Sequence, residues 1–111
     1  MVSAPLLNKP KEKDVQRAIL EYLQLRGYFC WRNNTGARSD SYKGKTRFFR
    51  FGFTGSGDIL GLTKEGRFFS IEVKAPGNVP TTSQWEFMDA VTRNKGLAFA
   101  ASDLETVQKY L

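Results

Sequence analysis

The chain of 111 residues contains no histidine. That absence excludes Ser-His-Asp and Cys-His triads, His-ligated zinc and His-metal motifs. Acid-base or metal chemistry must then use carboxylates, lysine, tyrosine or water, and oxygen ligands suit magnesium, manganese or calcium better than zinc. Cysteine is nearly absent too. Cys30 is the only one, so no internal disulfide and no multi-cysteine zinc site can form, and its place in the strand-like YFCWR predicts a core position. No apolar run approaches the roughly 20 residues needed to cross a bilayer, and the start MVSAPLLNKP lacks the charged and apolar regions of a signal peptide. The expectation is a soluble, cytoplasmic protein with no membrane partner.

Acidic residues are scarce in one segment. Seven cations (Arg26, Arg32, Arg38, Lys43, Lys45, Arg47 and Arg50) face a single acid, Asp40, between positions 26 and 50, within a net charge of +6. Tyr28, Phe29, Trp31, Tyr42, Phe48, Phe49 and Phe51 are interleaved with them. The charges read as a footprint for a phosphate backbone, with Arg32, Asn34, Arg38, Lys43, Lys45, Arg47 and Arg50 as candidate nucleic-acid contacts. Most of the aromatics read as core strand residues, although stacking of unpaired bases is the alternative. With 41% hydrophobic and 14% aromatic content, the chain suffices for one small domain, residues 10–111, behind a flexible lead-in of residues 1–9.

The richest local pattern is Asp58, Glu72 and Lys74. Residues 58–63 (DILGLT) and 67–74 (RFFSIEVK) are both strand-like, and only Lys64-Glu65-Gly66 separates them. A short loop ending in a left-handed Gly is a common hairpin connection. If Thr63 faces Arg67, Asp58 falls opposite Glu72, where like charges repel unless a cation lies between them. Alternation places Phe69, Ile71 and Val73 on a core face and Ser70, Glu72 and Lys74 on the other, which is either a site or solvent. A slip of one residue would undo this arrangement.

Elsewhere, apolar Val15, Ile19, Tyr22 and Leu23 at helical spacing predict a helix over residues 11–26 ended by Gly27. Glu12 lies on the same stripe; it either favours the helix start in the macrodipole or reaches into a site. Residues 28–32 read as a strand, 33–44 as a turn-rich stretch and loop, and 46–53 as a strand. Gly52, Gly55 and Gly57 precede Asp58 without the Gly-Lys-Ser/Thr of a nucleotide-binding loop, so they read as allowing backbone or substrate to come close to a metal. Residues 81–94 form a predicted helix with Trp85, Met88 and Val91 or Thr92 on one side, closed by Gly96. A strand over 97–101 and a helix over 103–111 capped by Ser102 follow. The expected architecture is α/β, with a central mixed sheet flanked by helices.

At these residues the chain resembles the PD-(D/E)XK nuclease superfamily, and within it the stand-alone VRR-NUC domains typical of bacteriophages and bacteria. The resemblance runs from Glu12-Lys-Asp-Val-Gln16 through WRNNTG (31–36), GSGD (55–58) and IEVK (71–74) to Gln84-Trp-Glu-Phe87. Pro80-Thr81-Thr82-Ser83 departs from the Leu-Ser-Pro-type turn usual before that glutamine. The resemblance implies a restriction-endonuclease-like core. It also implies that Asp58, Glu72, Lys74, Glu12 and Gln84 are catalytic, and that Glu12, Asp58, Glu72 and the Val73 carbonyl hold Mg2+ or Mn2+. A homodimer acting on branched, flapped or four-way-junction DNA, in a bacterial cell or phage-infected host, is implied as well. On this expectation the protein is a metal-dependent endodeoxyribonuclease with no small-molecule cofactor, Lys74 supplying electrostatic stabilisation and Gln84 orienting water or phosphate. The rivals are a non-catalytic nucleic-acid-binding module, a restriction-type endonuclease for which so short a chain leaves little base-reading surface, and an interaction domain with no dedicated surface.

Overall fold

A computed structural model describes residues 10–34, 36–42 and 44–111, with only the backbone of 36–42 and 47–51. The expected lead-in, 1–9, lies outside the described residues. Three helices and six strands follow in the order α1 (Glu12–Leu25), β1 (Phe29–Arg32), β2 (Gly36–Tyr42), β3 (Lys45–Phe51), β4 (Ile59–Leu62), β5 (Phe68–Val73), α2 (Thr82–Arg93), β6 (Leu97–Ala101) and α3 (Leu104–Tyr110). The fold is α/β, with a four-stranded mixed sheet ordered β1-β4-β5-β6. β1, β4 and β5 run antiparallel, whereas β5 and β6 are parallel and therefore need the crossover that α2 provides.

The hairpin that carries the Asp-Glu-Lys pattern has the expected register. Ile59 pairs with Ile71 and Leu60 with Ser70. Its loop closes through Gly66, at φ 87°, whose N–H donates to the Thr63 carbonyl at 2.9 Å. An L side chain would be strained there, so the glycine sets the register.

Ile19 and Leu23 of α1 and Val107 of α3 are fully buried against Ile59, Phe69, Ile71 and Val73. Each large aliphatic side chain so removed from water contributes roughly 1.5–3 kcal/mol, enough to hold α1 and α3 on this face. The opposite face was open to two readings, site or solvent; α2 covers part of it. Ser70 is 0% exposed and Glu72 3%, so β5 is a central strand buried on both sides. Met88 and Val91 are the buried positions of α2, Thr92 is exposed, and Trp85 keeps 55% of its surface.

Several local expectations are corrected. Residues 36–42, expected as turn and loop, form β2, which pairs with β3 in a separate two-stranded sheet from Gly36↔Phe51 to Tyr42↔Lys45. Its Ser, Asp and Gly content masks the strand, and pairing with the β-rich RFFRF overrides local propensity. The cap of α3 is Asp103, which accepts from the Thr106 N–H at 2.8 Å, and not Ser102; the one-residue shift puts the carboxylate oxygen three residues ahead of a free N–H. At the end of α2 it is Lys95, at φ 73°, that takes the left-handed position expected of Gly96. Of the interleaved aromatics, most of which were expected in the core, Phe29 and Trp31 are 70% and 43% exposed because they lie on the opposite face of β1 from buried Cys30. No helix among the described residues is long and apolar enough to cross a membrane.

Candidate active site

β5 carries Glu72 into the space between the sheet and the first turn of α2. Glu72 Oε2 accepts from Gln84 Nε2 at 3.0 Å and lies 3.7 Å from Lys74 Nζ. Glu72 Oε1 is buried and meets no donor among the described residues. A buried carboxylate oxygen without a donor is costly, so this atom calls for a proton or a cation.

Asp58 stands beside it, at the entry to β4. Its N–H donates to the Ile71 carbonyl at 2.8 Å and its carbonyl accepts from the Asn33 N–H at 2.7 Å, so the ladders of β1 and β5 extend through it. Asp58 Oδ2 accepts from the Val73 N–H at 2.7 Å. The side chain is thereby fixed, with its carboxylate in hydrogen-bonding reach of Glu72.

The electrostatics follow from this apposition. Burial pushes the Glu72 carboxyl up to about 8; the hydrogen bond and like charge of Asp58 push the same way, Lys74 opposes them, and Glu12 adds a smaller push upward. Two facing carboxylates in dry surroundings do not both ionise without a compensating positive charge.

The loop before Asp58 packs tightly. The Gly57 N–H donates to Ser70 Oγ at 3.1 Å, and Asn33 Nδ2 donates to Ser56 Oγ at 2.7 Å and to the Gly57 carbonyl at 2.9 Å. A Cβ on Gly57 would press into Ser70 and the Ile71 carbonyl, and one on Gly55 into the backbone of Ser83. These glycines thus let the loop seat against β5 and the start of α2, a close approach of backbone to backbone.

Asp58, Glu72, Lys74 and Gln84 are brought together. Glu12 occupies the first position of α1 and is exposed; only its charge is felt at Glu72. Val73 is buried beside Asp58. Of the expected nucleic-acid contacts, Arg32, Asn34 and Lys45 are exposed. Lys43 lies outside the described residues, as do the side chains of Arg38, Arg47 and Arg50, whose backbones belong to β2 and β3. Asn33 and Ser70 were not singled out as site residues. Ser70 shares the alternation face of Glu72, and Asn33 directly follows the last residue of β1, beside Asp58, so register alone points to both.

The fit to a divalent metal has two sides. The orphaned Glu72 oxygen, the apposed Asp58 and hard oxygen donors favour Mg2+ or Mn2+. Against this, among the described residues no group of three or more Asp, Glu, Cys or His side chains is gathered closely enough to hold an ion. Water and backbone carbonyls complete such shells readily, so two carboxylates suffice as the protein's anchors. Compared with models of known families, with characterised proteins and with solved structures, the chain matches none.

Proposed function

We propose that the protein is a divalent-metal-dependent phosphodiesterase acting on DNA, and that it belongs among the VRR-NUC-type nucleases its motifs resemble. The observation that carries this reading is buried Glu72, whose Oε1 has no partner among the described residues and whose carboxylate stands against Asp58. A pair so placed must either share a proton or hold a cation, and a cation is the role that gives the buried pair a purpose.

Asp58 and Glu72 would hold the metal, with the Val73 carbonyl and, after a side-chain movement, Glu12. Bound there, the ion would neutralise a phosphate oxygen and lower the pKa of a water. The residues themselves do the positioning. Gln84 and Lys74 fix Glu72 Oε2, while the Val73 N–H and Asn33 fix Asp58, so neither carboxylate has to reorganise. Lys74, with its side chain 13% exposed, presents a positive charge where negative charge would build on the phosphate.

The finer reading is a structure-specific endonuclease working as a homodimer, two copies cutting two strands with one symmetry. A second reading, a non-catalytic nucleic-acid-binding module, is favoured by the exposure of Glu12 and the lack of a three-carboxylate group among the described residues. Incubation with labelled duplex, single-stranded, flapped and four-way-junction DNA in magnesium, manganese or chelator separates the two. Metal-dependent cutting that Asp58→Ala abolishes supports the nuclease, and its preferred substrate names the class. Metal-independent binding without cutting overturns it in favour of the module.

A further inference from the structure

Behind β1, on the side away from Glu72, a cleft of about 330 Å3 is lined by Lys13, Gln16, Arg17 and Leu20 of α1 and by Arg32 of β1. That is room for on the order of ten waters. Three of its five lining side chains are cationic and none is acidic. Among the described residues, Lys13, Arg17 and Arg32 make no ion pair with a carboxylate. Like charges gathered on one concave wall raise the local positive potential and draw an anion into it, although water and salt screen part of their repulsion because all three side chains are exposed. Acids were available nearby, since Glu12 and Asp14 flank Lys13, yet neither lines the cleft.

The ligand chemistry follows from the donors. Two guanidinium groups match the oxygens of a phosphate bidentately, a lysine adds a point charge, and the Gln16 amide supplies a neutral donor. The position is equally specific. Arg32 pairs with Ile59, the residue after Asp58, and Asn33, which follows Arg32, holds the Asp58 and Gly57 carbonyls. The cleft and the carboxylate pair therefore share the β1-β4 ladder.

We infer that Lys13, Arg17 and Arg32 form a phosphate-binding cleft that holds a backbone phosphate of the nucleic acid flanking the Asp58–Glu72 site. The choice of nucleic acid as the source of that phosphate rests on the proposed function; the phosphate chemistry does not. The basic segment after residue 26 directs attention to β1, β2 and β3, whereas two of these three cations belong to α1.

The test is equilibrium binding of labelled DNA in chelator, so that no cleavage enters, across about 50 to 200 mM salt. Lys13→Ala/Arg17→Ala is compared with wild type and with Lys109→Ala, an exposed cation on α3. Each lost phosphate contact lowers the slope of log affinity against log salt by about 1. The double variant is expected to lose about 2 in slope and Lys109→Ala nothing, with circular dichroism unchanged in both. An unchanged slope in the folded double variant overturns the cleft, even if wild-type protein cuts DNA. A lost slope in a protein that never cuts leaves the cleft standing and sinks the nuclease. In a parallel arm, inorganic phosphate is titrated and the thermal midpoint followed. Variant-sensitive stabilisation by phosphate, with DNA affinity unaffected, overturns the backbone source and assigns the cleft to a free phosphate compound.

Discussion

Gln84 donates to Glu72 Oε2 at 3.0 Å while its own Oε1 accepts from the Thr81 N–H at 2.8 Å. A backbone N–H can only donate, so the amide orientation is fixed and its NH2 must face Glu72. One side chain thus completes the capping box of α2 and holds the buried carboxylate. Gln84→Ala should therefore lose on both counts: about 1 kcal/mol of stability by urea denaturation, and a large fraction of metal-dependent cleavage. Gln84→Glu retains the box acceptor but sets a third carboxylate at Glu72, so its stability should survive better in acid than at high pH. Wild-type cleavage by Gln84→Ala would remove Gln84 from the site.

Asp58→Asn separates the demands of folding from those of a ligand. An Asn oxygen still accepts from the Val73 N–H, but the like charge beside Glu72 is gone. Metal-free Asp58→Asn should therefore be more stable than wild type at about pH 8, by on the order of 1 kcal/mol, while losing cleavage and any stabilisation by Mg2+ or Mn2+. Thermal melts in chelator and in metal give both readouts. A variant less stable than wild type in chelator would mean that the two carboxylates are not in conflict.

The raised Glu72 carboxyl predicts how stability follows pH. Its pKa rises from 4.5 to about 8 on folding, so the folded state holds the proton more tightly. That contribution is fully present below about 4.5 and is lost as pH rises through about 8. In chelator, the unfolding free energy from urea denaturation should fall between about pH 5 and about pH 9, by a few kcal/mol in total. Saturating Mg2+ or Mn2+ should flatten the fall, because a cation replaces the proton between Asp58 and Glu72. A metal-free profile that is flat across this window would place Glu72 in wetter surroundings than the fold gives it.

The central hairpin was legible because each of its determinants is local. Gly66 fixes the loop, the loop fixes the register, and the register puts Asp58 opposite Glu72. α1 was legible for the same reason, its stripe of Val15, Ile19 and Leu23 being buried as spaced. What stayed hidden depends on partners far along the chain. The polar face of β5 looks solvent-like in isolation, and only the return of α2 makes Ser70 and Glu72 buried. Glu12 lies on the extension of the core stripe, but the helix starts there and leaves its side chain in water. Gathering Lys13 and Arg17 with Arg32 needs the packing of α1 on β1, which no spacing announces.

The end of α2 offers a test far from the site. Lys95 takes φ 73°, its N–H donating to the Thr92 carbonyl at 3.1 Å, and the Gly96 N–H donates to the Val91 carbonyl at 2.8 Å. This is a helix-ending motif in which the left-handed residue is usually glycine. Gly96 is kept at the next position by packing, since a Cβ there would press on Val91. Arg67 clamps the turn through the backbone, its Nε donating to the Lys95 carbonyl at 2.7 Å and its Nη2 to the Gly96 carbonyl at 3.0 Å, so the lysine side chain is not required. Lys95→Gly relieves about 1 kcal/mol of backbone strain while keeping every one of these bonds. The variant should melt about 4 °C higher, with DNA cleavage unchanged. An unaltered or lower midpoint would show that the turn bears no strain at Lys95.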